Sequence, residues 1–311
     1  MTIPTLAHSS KRIQEVVERL RRVPDTARMF SESAAEARRL HRVDQALQAR
    51  LLDLGMPHRG PAADPHFDSL DLANVGLGLG LRCPRWLAMR WWSKSLTQVV
   101  PGQRLDYRME LSASCPSPGH AGACRFEVHP RLRAAMRPGT CRETGPGTYA
   151  FEVRLDSGRH LFGGPFTELI DQIRPVQFHL LPYPLNTDLG FLRDSGLADC
   201  RLAANYLHRL GGSLGLPVRS TAGYFVAPPY ATVHVWLEFQ VDGDWLPADP
   251  FLLNALNRWG IVDPGQWPPH RSPQGLLWSV HDEFIELLRH NDQDVLLYPA
   301  MVVTEQHASP L

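Results

Sequence analysis

The chain has 311 residues and equal numbers of acidic and basic side chains, so its formal net charge at pH 7 is zero. A chain of this length can bury a large core. The balanced charge offers no basic face for nucleic acid and no polybasic segment for an anionic membrane, so we expect neither partner. No apolar run approaches the roughly 18 residues of a membrane span, and residues 1–4 do not resemble a secretory signal, which together predict a cytoplasmic protein. The chain has only two lysines but many arginines, alanines and prolines, a composition that is associated with bacteria of GC-rich genome.

Helical periodicity marks the N-terminal segment, residues 1–55. From Ser9 to Pro24 apolar residues recur at helical spacing on one face. They are Ile13, Val16, Val17 and Leu20. A second run, from Ala34 to Leu54, predicts another helix, which Gly55 ends.

A β-rich region is predicted for residues 56–175. Apolar residues alternate with polar ones in two runs of this region, as expected for half-buried antiparallel strands. The runs are Leu105, Tyr107, Met109, Leu111 and Tyr149, Phe151, Val153, Leu155. Upstream, the alternating glycines of Gly76–Gly80 lack the spacing of a nucleotide-binding loop and favour a close-packed or bulged segment. The aromatic cluster of residues 86–92 predicts either core packing or one wall of a substrate channel.

Five cysteines are present, an odd number, so at least one has no internal disulfide partner. Cys115 and Cys124 lie on either side of His120 in sequence, and His129 follows, so these four residues are candidate ligands of a zinc site. Their spacings match none of the usual paired-cysteine patterns, so the sequence predicts no metal and no cofactor.

Cys200 stands at the start of a predicted helix. Apolar residues at 202, 203, 206, 207 and 210 form one helical stripe, and glycines at 211 and 212 end it. Asp199 is placed to cap this helix, so Cys200 falls in its first turn. The unpaired amides of a helix N-terminus stabilise a thiolate and can bind a developing oxyanion, whereas the carboxylate of Asp199 disfavours the thiolate. A cationic partner is therefore expected.

Three predicted strands follow this helix. They run from Val218 to Val226, from Thr232 to Phe239 and, after a tight turn, from Trp245 to Pro250. His234 and Asp249 thus fall on adjacent antiparallel strands, where neighbouring side chains can hydrogen-bond. A cysteine, a histidine and a carboxylate in this arrangement match the logic of nucleophile, base and orienting acid.

This block resembles the transglutaminase-like core. That family shows a helix-starting cysteine, a Gly-hydrophobic-Pro-Ala/Val-Arg strand with a following Gly-Tyr, a His-x-Trp-x-Glu strand and a Trp-x-x-x-Asp-Pro strand. The counterparts here are Gly215–Arg219 with Gly223 and Tyr224, His234–Glu238, and Trp245–Pro250. The resemblance implies an α+β fold whose cysteine-bearing helix packs on an antiparallel sheet, in a catalytic domain at residues 176–311. It covers less than half of the chain, and no acidic cluster resembles the calcium sites of animal transglutaminases.

The resemblance also assigns roles: Cys200 as nucleophile, His234 as base and Asp249 as orienting carboxylate. Three aromatic residues are candidates for substrate contact. They are Trp236, Tyr224 and Tyr183, the last in a stretch to Asn186 that could hold a second oxyanion donor.

The family chemistry is attack of a thiolate on a carbonyl, an acyl-enzyme and transfer to an acceptor. We expect an amide-forming acyltransferase of bacterial natural-product (antibiotic) biosynthesis, whose acyl donor is an amide or a thioester such as one on a carrier protein and whose acceptor is an amine. A peptidase or amidase using the same triad is the alternative, and an inactive scaffold or binding module that keeps the fold is the third. The tail beyond Phe251 predicts a loop-rich cap with one helix over Val280–His290.

Overall fold

The computed structural model describes residues 9–135, 140–282, 285–294 and 301–311, and within them the fold is mixed α+β. Its α-helices there are α1 (Ser10–Leu20), α2 (Ala34–His41), α3 (Gln45–Asp53), α4 (Ser69–Leu79), α5 (Pro84–Gln98), α6 (Pro130–Ala135), α7 (Pro165–Gln172), α8 (Leu189–Ser195), α9 (Cys200–Ser213) and α10 (Pro250–Arg258). Across those ranges, no helix combines the length and the apolar character that crossing a membrane requires.

Five of the strands are long and belong to one eight-stranded sheet, and the others are short. In chain order they are β1 (Glu32–Ser33), β2 (His66–Phe67), β3 (Gln103–Ser112), β4 (Phe126–Val128), β5 (Cys141–Gly145), β6 (Thr148–Asp156), β7 (Gln177–Phe178), β8 (Leu197–Ala198), β9 (Val218–Ala227), β10 (Tyr230–Val241), β11 (Asp244–Ala248), β12 (Leu277–His281), β13 (Leu288–His290), β14 (Gln293–Asp294) and β15 (Met301–Pro310).

The chain forms two compact units, each assembled from three separate stretches. Unit 1 contains Met1–Arg90, Ile173–Ala203 and Phe251–Trp267, and unit 2 contains Trp91–Gln172, Ala204–Pro250 and Pro268–Leu311. Residues 1–8 lie outside the described part. The three consecutive domains expected from the sequence, 1–55, 56–175 and 176–311, stay a prediction.

Helices α1 to α4 of unit 1 share a core of mostly aliphatic side chains. The helix predicted after Ser9 is confirmed: Ser9 accepts a hydrogen bond from the amide of Arg12, and the predicted apolar face of α1 is buried. The single helix predicted from Ala34 to Leu54 is wrong, because Arg42 adopts a left-handed conformation (φ 62°) that separates α2 from α3. Gly55 ends α3 with φ 84°, as predicted.

Two glycines of α4 let neighbouring chain segments approach closely. A Cβ on Gly76 would lie 2.5 Å from Cys83 Sγ, and a Cβ on Gly78 would lie 2.6 Å from Val16 Cγ2. The expected close packing is therefore confirmed, and these glycines lie inside a helix rather than in a phosphate-binding loop.

Unit 2 is organised by an antiparallel sheet in the order β12-β9-β10-β15-β3-β6-β5, with β11 also paired to β10. The two predicted alternating runs form β3 and β6, and their apolar residues lie opposite each other. The pairs are Leu105 with Leu155, Tyr107 with Val153, Met109 with Phe151, and Leu111 with Tyr149. A smaller sheet, β14-β13-β4, belongs to the same unit. The turn between β10 and β11 has positive φ at Asp242 and Gly243, as a tight hairpin requires.

The tail differs from its prediction. The helix expected over Val280–His290 is wrong in the described residues, because Leu277–His281 extends the large sheet as β12 and Leu288–His290 pairs with β4. Phe284, which was expected on that helix, lies outside the described residues. The expected loop-rich cap also supplies β15 to the middle of the large sheet.

Candidate active site

His234 and Asp249 form a buried pair in unit 2. His234 lies on β10, and Asp249 directly follows β11, one residue before α10 begins. His234 Nε2 is 2.5 Å from Asp249 Oδ2, and the two side chains are only 2% and 6% exposed. Since a carboxylate can only accept, Nε2 carries the proton of this hydrogen bond, and in the neutral ring Nδ1 is then the nitrogen with the lone pair. The carboxylate thus selects the tautomer and would stabilise a second proton taken up at Nδ1.

Aromatic rings enclose His234. Trp92, on α5, meets the imidazole edge to face at 5.5 Å between centroids, and it stacks on Phe225 at 4.7 Å. Trp236 lies nearly parallel to the imidazole at 6.1 Å. The histidine therefore sits in an apolar setting, which strengthens its hydrogen bond to Asp249.

Gly223 is required for this packing. It lies opposite His234 in the β9–β10 register. A Cβ there would lie 2.0 Å from the carbonyl oxygen of Trp278 and 2.8 Å from the ring of Trp236. The Gly-Tyr motif is explained by this close approach of β12 and of the indole to the backbone of β9.

Two of the residues predicted to contact substrate, Tyr224 and Trp236, are buried. Tyr224 belongs to the core of unit 2 and packs against Trp278, and burial raises the pKa of its hydroxyl. The indole Nε1 of Trp236 is buried and has no hydrogen-bond partner within the described ranges. Both residues support the site from inside the fold, and their contact with substrate stays a prediction.

Arg219 and Glu238 brace the same strands further from His234. They lie opposite each other on β9 and β10, and Glu238 Oε2 accepts hydrogen bonds from Nε (2.8 Å) and a terminal nitrogen (2.5 Å) of Arg219. The guanidinium also lies 4.3 Å from the ring centroid of Trp245 on β11. The motif residues Arg219, Glu238 and Trp245 thus tie together the three strands that hold His234 and Asp249 in place.

Cys200 is the first residue of α9 and is half-buried. The predicted cap is present, since Asp199 Oδ1 accepts a hydrogen bond of 2.9 Å from the amide of Leu202. Desolvation raises the pKa of the Asp199 carboxyl to about 6, and the hydrogen bond from Leu202 and the charge of Arg201 oppose that rise. At neutral pH the carboxylate beside Cys200 is therefore largely ionised. Because Cys200 belongs to unit 1 and His234 to unit 2, their pairing stays a prediction.

The Tyr183–Asn186 stretch also belongs to unit 1. Tyr183 is 73% exposed, and the guanidinium of Arg201 lies 6.0 Å from its ring centroid. Asn186 Oδ1 is buried without a hydrogen-bond partner in the described part of the chain. Tyr183 is thus an exposed ring beside Arg201, the residue after Cys200, and its predicted contact with substrate stays a prediction.

His179 is a buried titratable group that the sequence did not indicate. Its amide donates to the carbonyl of Ala198, where β7 and β8 pair in parallel just before Cys200. Desolvation, followed by the charges of Arg19, Arg28 and Arg22, lowers the pKa of His179 to about 3. The backbone of His179 supports the strand that leads into α9, while its ring is buried in the neutral form, and no local sequence pattern distinguishes it from an exposed histidine.

Comparison of the chain with models of known protein families finds no match, and comparison with curated proteins finds none either.

Proposed function

We propose that the protein is a cysteine acyltransferase of transglutaminase-like type, with Cys200 as nucleophile, His234 as base and Asp249 as orienting acid. The buried His234–Asp249 pair carries the proposal. A histidine with a fixed tautomer, set in an aromatic enclosure, is the arrangement that an activated cysteine needs. The position of Cys200 at the start of a 14-residue helix adds support, because the helix amides favour a thiolate and an oxyanion.

In the proposed reaction His234 takes the thiol proton at Nδ1 and the sulfur attacks the donor carbonyl carbon. The bond to the leaving thiol breaks, the leaving group takes the proton from His234, and an acyl thioester remains on Cys200. An amine then attacks that thioester, and His234 accepts a proton of the amine. The bond to Cys200 breaks, His234 returns the proton to the departing sulfur, and the amide leaves. The protons balance across the two halves, so no cofactor takes part.

The strand order supports the resemblance to the transglutaminase-like core. The Gly-Tyr strand, the His-x-Trp-x-Glu strand and the Trp-x-x-x-Asp-Pro strand are neighbours as β9, β10 and β11. Within unit 2 the later part of α9 packs on this sheet, since a Cβ on Gly211 would lie 2.3 Å from Val218 Cγ1.

Transfer rather than hydrolysis is favoured by the apolar surroundings of His234. Trp92, Phe225 and Trp236 pack around His234 and are almost fully buried, so they keep water away from the imidazole. We place the activity in cytoplasmic natural-product assembly, with a carrier-protein thioester as donor and an amine as acceptor.

The test is intact-mass analysis of the full chain incubated with a panel of small acyl thioesters and amines. We expect one acyl group on Cys200 and its discharge to amide when an amine is added. Cys141→Ser should acylate normally, and Cys200→Ala should not. An adduct that water clears equally fast with amine present would make the protein a hydrolase. If iodoacetamide labels Cys200 no faster than Cys83 or Cys141, the thiol is not activated and the scaffold alternative holds.

A further inference from the structure

Four side chains that can bind a metal converge in unit 2, on residues that play no part in the proposed triad. Cys115, His120 and Cys124 lie between β3 and β4, and His290 is the last residue of β13. One ligand atom of each lies within 4.8 Å of those of the other three. His120 Nε2 is 3.2 Å from Cys124 Sγ.

Backbone pairing holds the two segments together. His290 lies opposite Phe126 in the β13–β4 register. The amide of Asn291 donates to the carbonyl of Arg125, and the amide of Arg125 donates to Asn291 Oδ1, each at 2.9 Å. The residue after Cys124 is therefore fixed to the residue after His290, which sets the distance between these two ligands.

His120 is oriented as a metal ligand would be. Its Nδ1 is 3.0 Å from the carbonyl oxygen of Ala121, so Nδ1 carries the proton and Nε2 keeps its lone pair for the cluster. Gly119 and Gly122 on either side have φ of 92° and 85°, a left-handed conformation that glycine adopts readily. These two turns bring the imidazole back toward Cys124.

His290 supplies an independent indication of a ligand. The residue is 5% exposed, and its Nε2 is buried without a hydrogen-bond partner in the ranges that the structure describes. Its ring meets that of His120 at 5.1 Å and 71°. A buried ring nitrogen without a partner is destabilising, and coordination of a metal would remove that cost.

We propose that Cys115, His120, Cys124 and His290 bind one Zn²⁺ in a tetrahedral Cys₂His₂ site. Both thiols release their protons on binding, so the two thiolates neutralise the ion and the histidines stay neutral. Zinc bonds to sulfur and nitrogen place tetrahedral ligand atoms about 3.3–3.8 Å apart, so the four atoms need to approach by no more than about 1.5 Å. No carboxylate belongs to the set, which disfavours Mg²⁺ and Ca²⁺.

The proposed site is structural. Four protein ligands leave no position for a water or a substrate, and zinc would fasten the loop before β4 to the β14-β13-β4 sheet. The sequence pattern missed it because Cys115-x₄-His120-x₃-Cys124 has unusual spacing and because His290 lies 166 positions after Cys124.

The test uses the full chain, reduced, stripped with a chelator and titrated with Zn²⁺. Elemental analysis and native mass spectrometry should find one zinc per chain. Cys124→Ser and His120→Gln are expected to weaken binding by more than about 100-fold, because even outer-shell changes cost up to that much. Cys124→His keeps a ligand and should retain zinc. The matched controls Cys141→Ser and His307→Gln, outside the cluster, should bind zinc like the unaltered chain.

A spectroscopic probe separates loss of ligands from loss of fold. Co²⁺ in the site should show thiolate charge-transfer bands that fall to half or less in Cys124→Ser, which keeps only the Cys115 thiolate. Circular dichroism of this variant should stay unchanged, because Cys124 is exposed. Zinc binding that is equal in Cys124→Ser, His120→Gln and the controls would overturn the proposal. If Cys115 and Cys124 are joined by a disulfide and the chain still binds no zinc after that disulfide is reduced, the proposal is overturned as well.

Discussion

Removal of the Asp249 carboxylate is expected to be costly because the pair it forms with His234 is buried. The two side chains are 6% and 2% exposed, and their atoms are 2.5 Å apart. Loss of one partner from a buried, hydrogen-bonded pair costs about 3–5 kcal/mol, since the other partner loses its hydrogen bond where water cannot replace it. We therefore expect Asp249→Ala to lower the free energy of unfolding by about 3–5 kcal/mol.

An exposed pair of nearly the same length provides the control. Arg154 Nε and Asp106 Oδ1 are 2.6 Å apart, but these side chains are 57% and 42% exposed. Asp106→Ala should cost about 0–1 kcal/mol, because water screens the pair and solvates the remaining guanidinium. Both variants are measured by urea unfolding, monitored by circular dichroism. Their midpoints are compared only if the dependence of the free energy of unfolding on urea concentration is unchanged. A cost for Asp249→Ala no larger than that for Asp106→Ala would refute the reasoning from burial.

Three further predictions follow from the site and its supports. The pKa of His179 is lowered from 6.5 to about 3, so the stability that its neutral form contributes is present above pH 6.5 and is lost as the pH falls toward 3. Between pH 7 and pH 5 the free energy of unfolding in urea should therefore fall by about 2 kcal/mol less for His179→Gln than for the unaltered chain, and an unchanged pH dependence would contradict this. Asp199→Asn keeps a helix cap but removes a carboxylate charge that forms above about pH 6 and disfavours the Cys200 thiolate. Cys200 should therefore react several-fold faster with iodoacetamide at pH 8 in this variant, as measured by peptide mass spectrometry, and equal rates would exclude the electrostatic effect. Gly223→Ala should lower the free energy of unfolding by about 3 kcal/mol, measured by thermal unfolding, because the added Cβ would meet Trp278. Gly145→Ala, whose Cβ would have nothing within 4 Å, should change it little, and similar losses in the two variants would mean that β12 is not packed as described.

Local pattern predicted much of the molecule where neighbours in sequence determine the structure. The alternation from Leu105 to Leu111 is that of a strand with one buried face, and β3 has that face. The helix start at Cys200 followed from the cap residue Asp199 and the apolar stripe. The contact of His234 with Asp249 was expected from adjacent strands, although Asp249 lies just beyond β11.

Prediction failed where distant segments decide the structure. Apolar residues near Leu287 and Leu288 fit a helical face, but pairing with Val128 of β4 makes Leu288 part of a strand. β15 has few apolar residues after Val303, and pairing along β3 holds it extended. The approach of His290 to Cys115 depends on the same long-range pairing, so no window of sequence contains it.

The place of β15 in the large sheet has a consequence for synthesis. It follows the other described strands in sequence, yet it lies between β10 and β3 and pairs with nearly the whole length of β3. Until residues 301–310 emerge from the ribosome, which adds about 5–20 residues per second, β3 has an open hydrogen-bonding edge in the nascent chain. An open edge of this kind can pair with another polypeptide, so a chaperone that shields β3 should raise the yield of folded protein, and ribosome stalling before Met301 should promote aggregation.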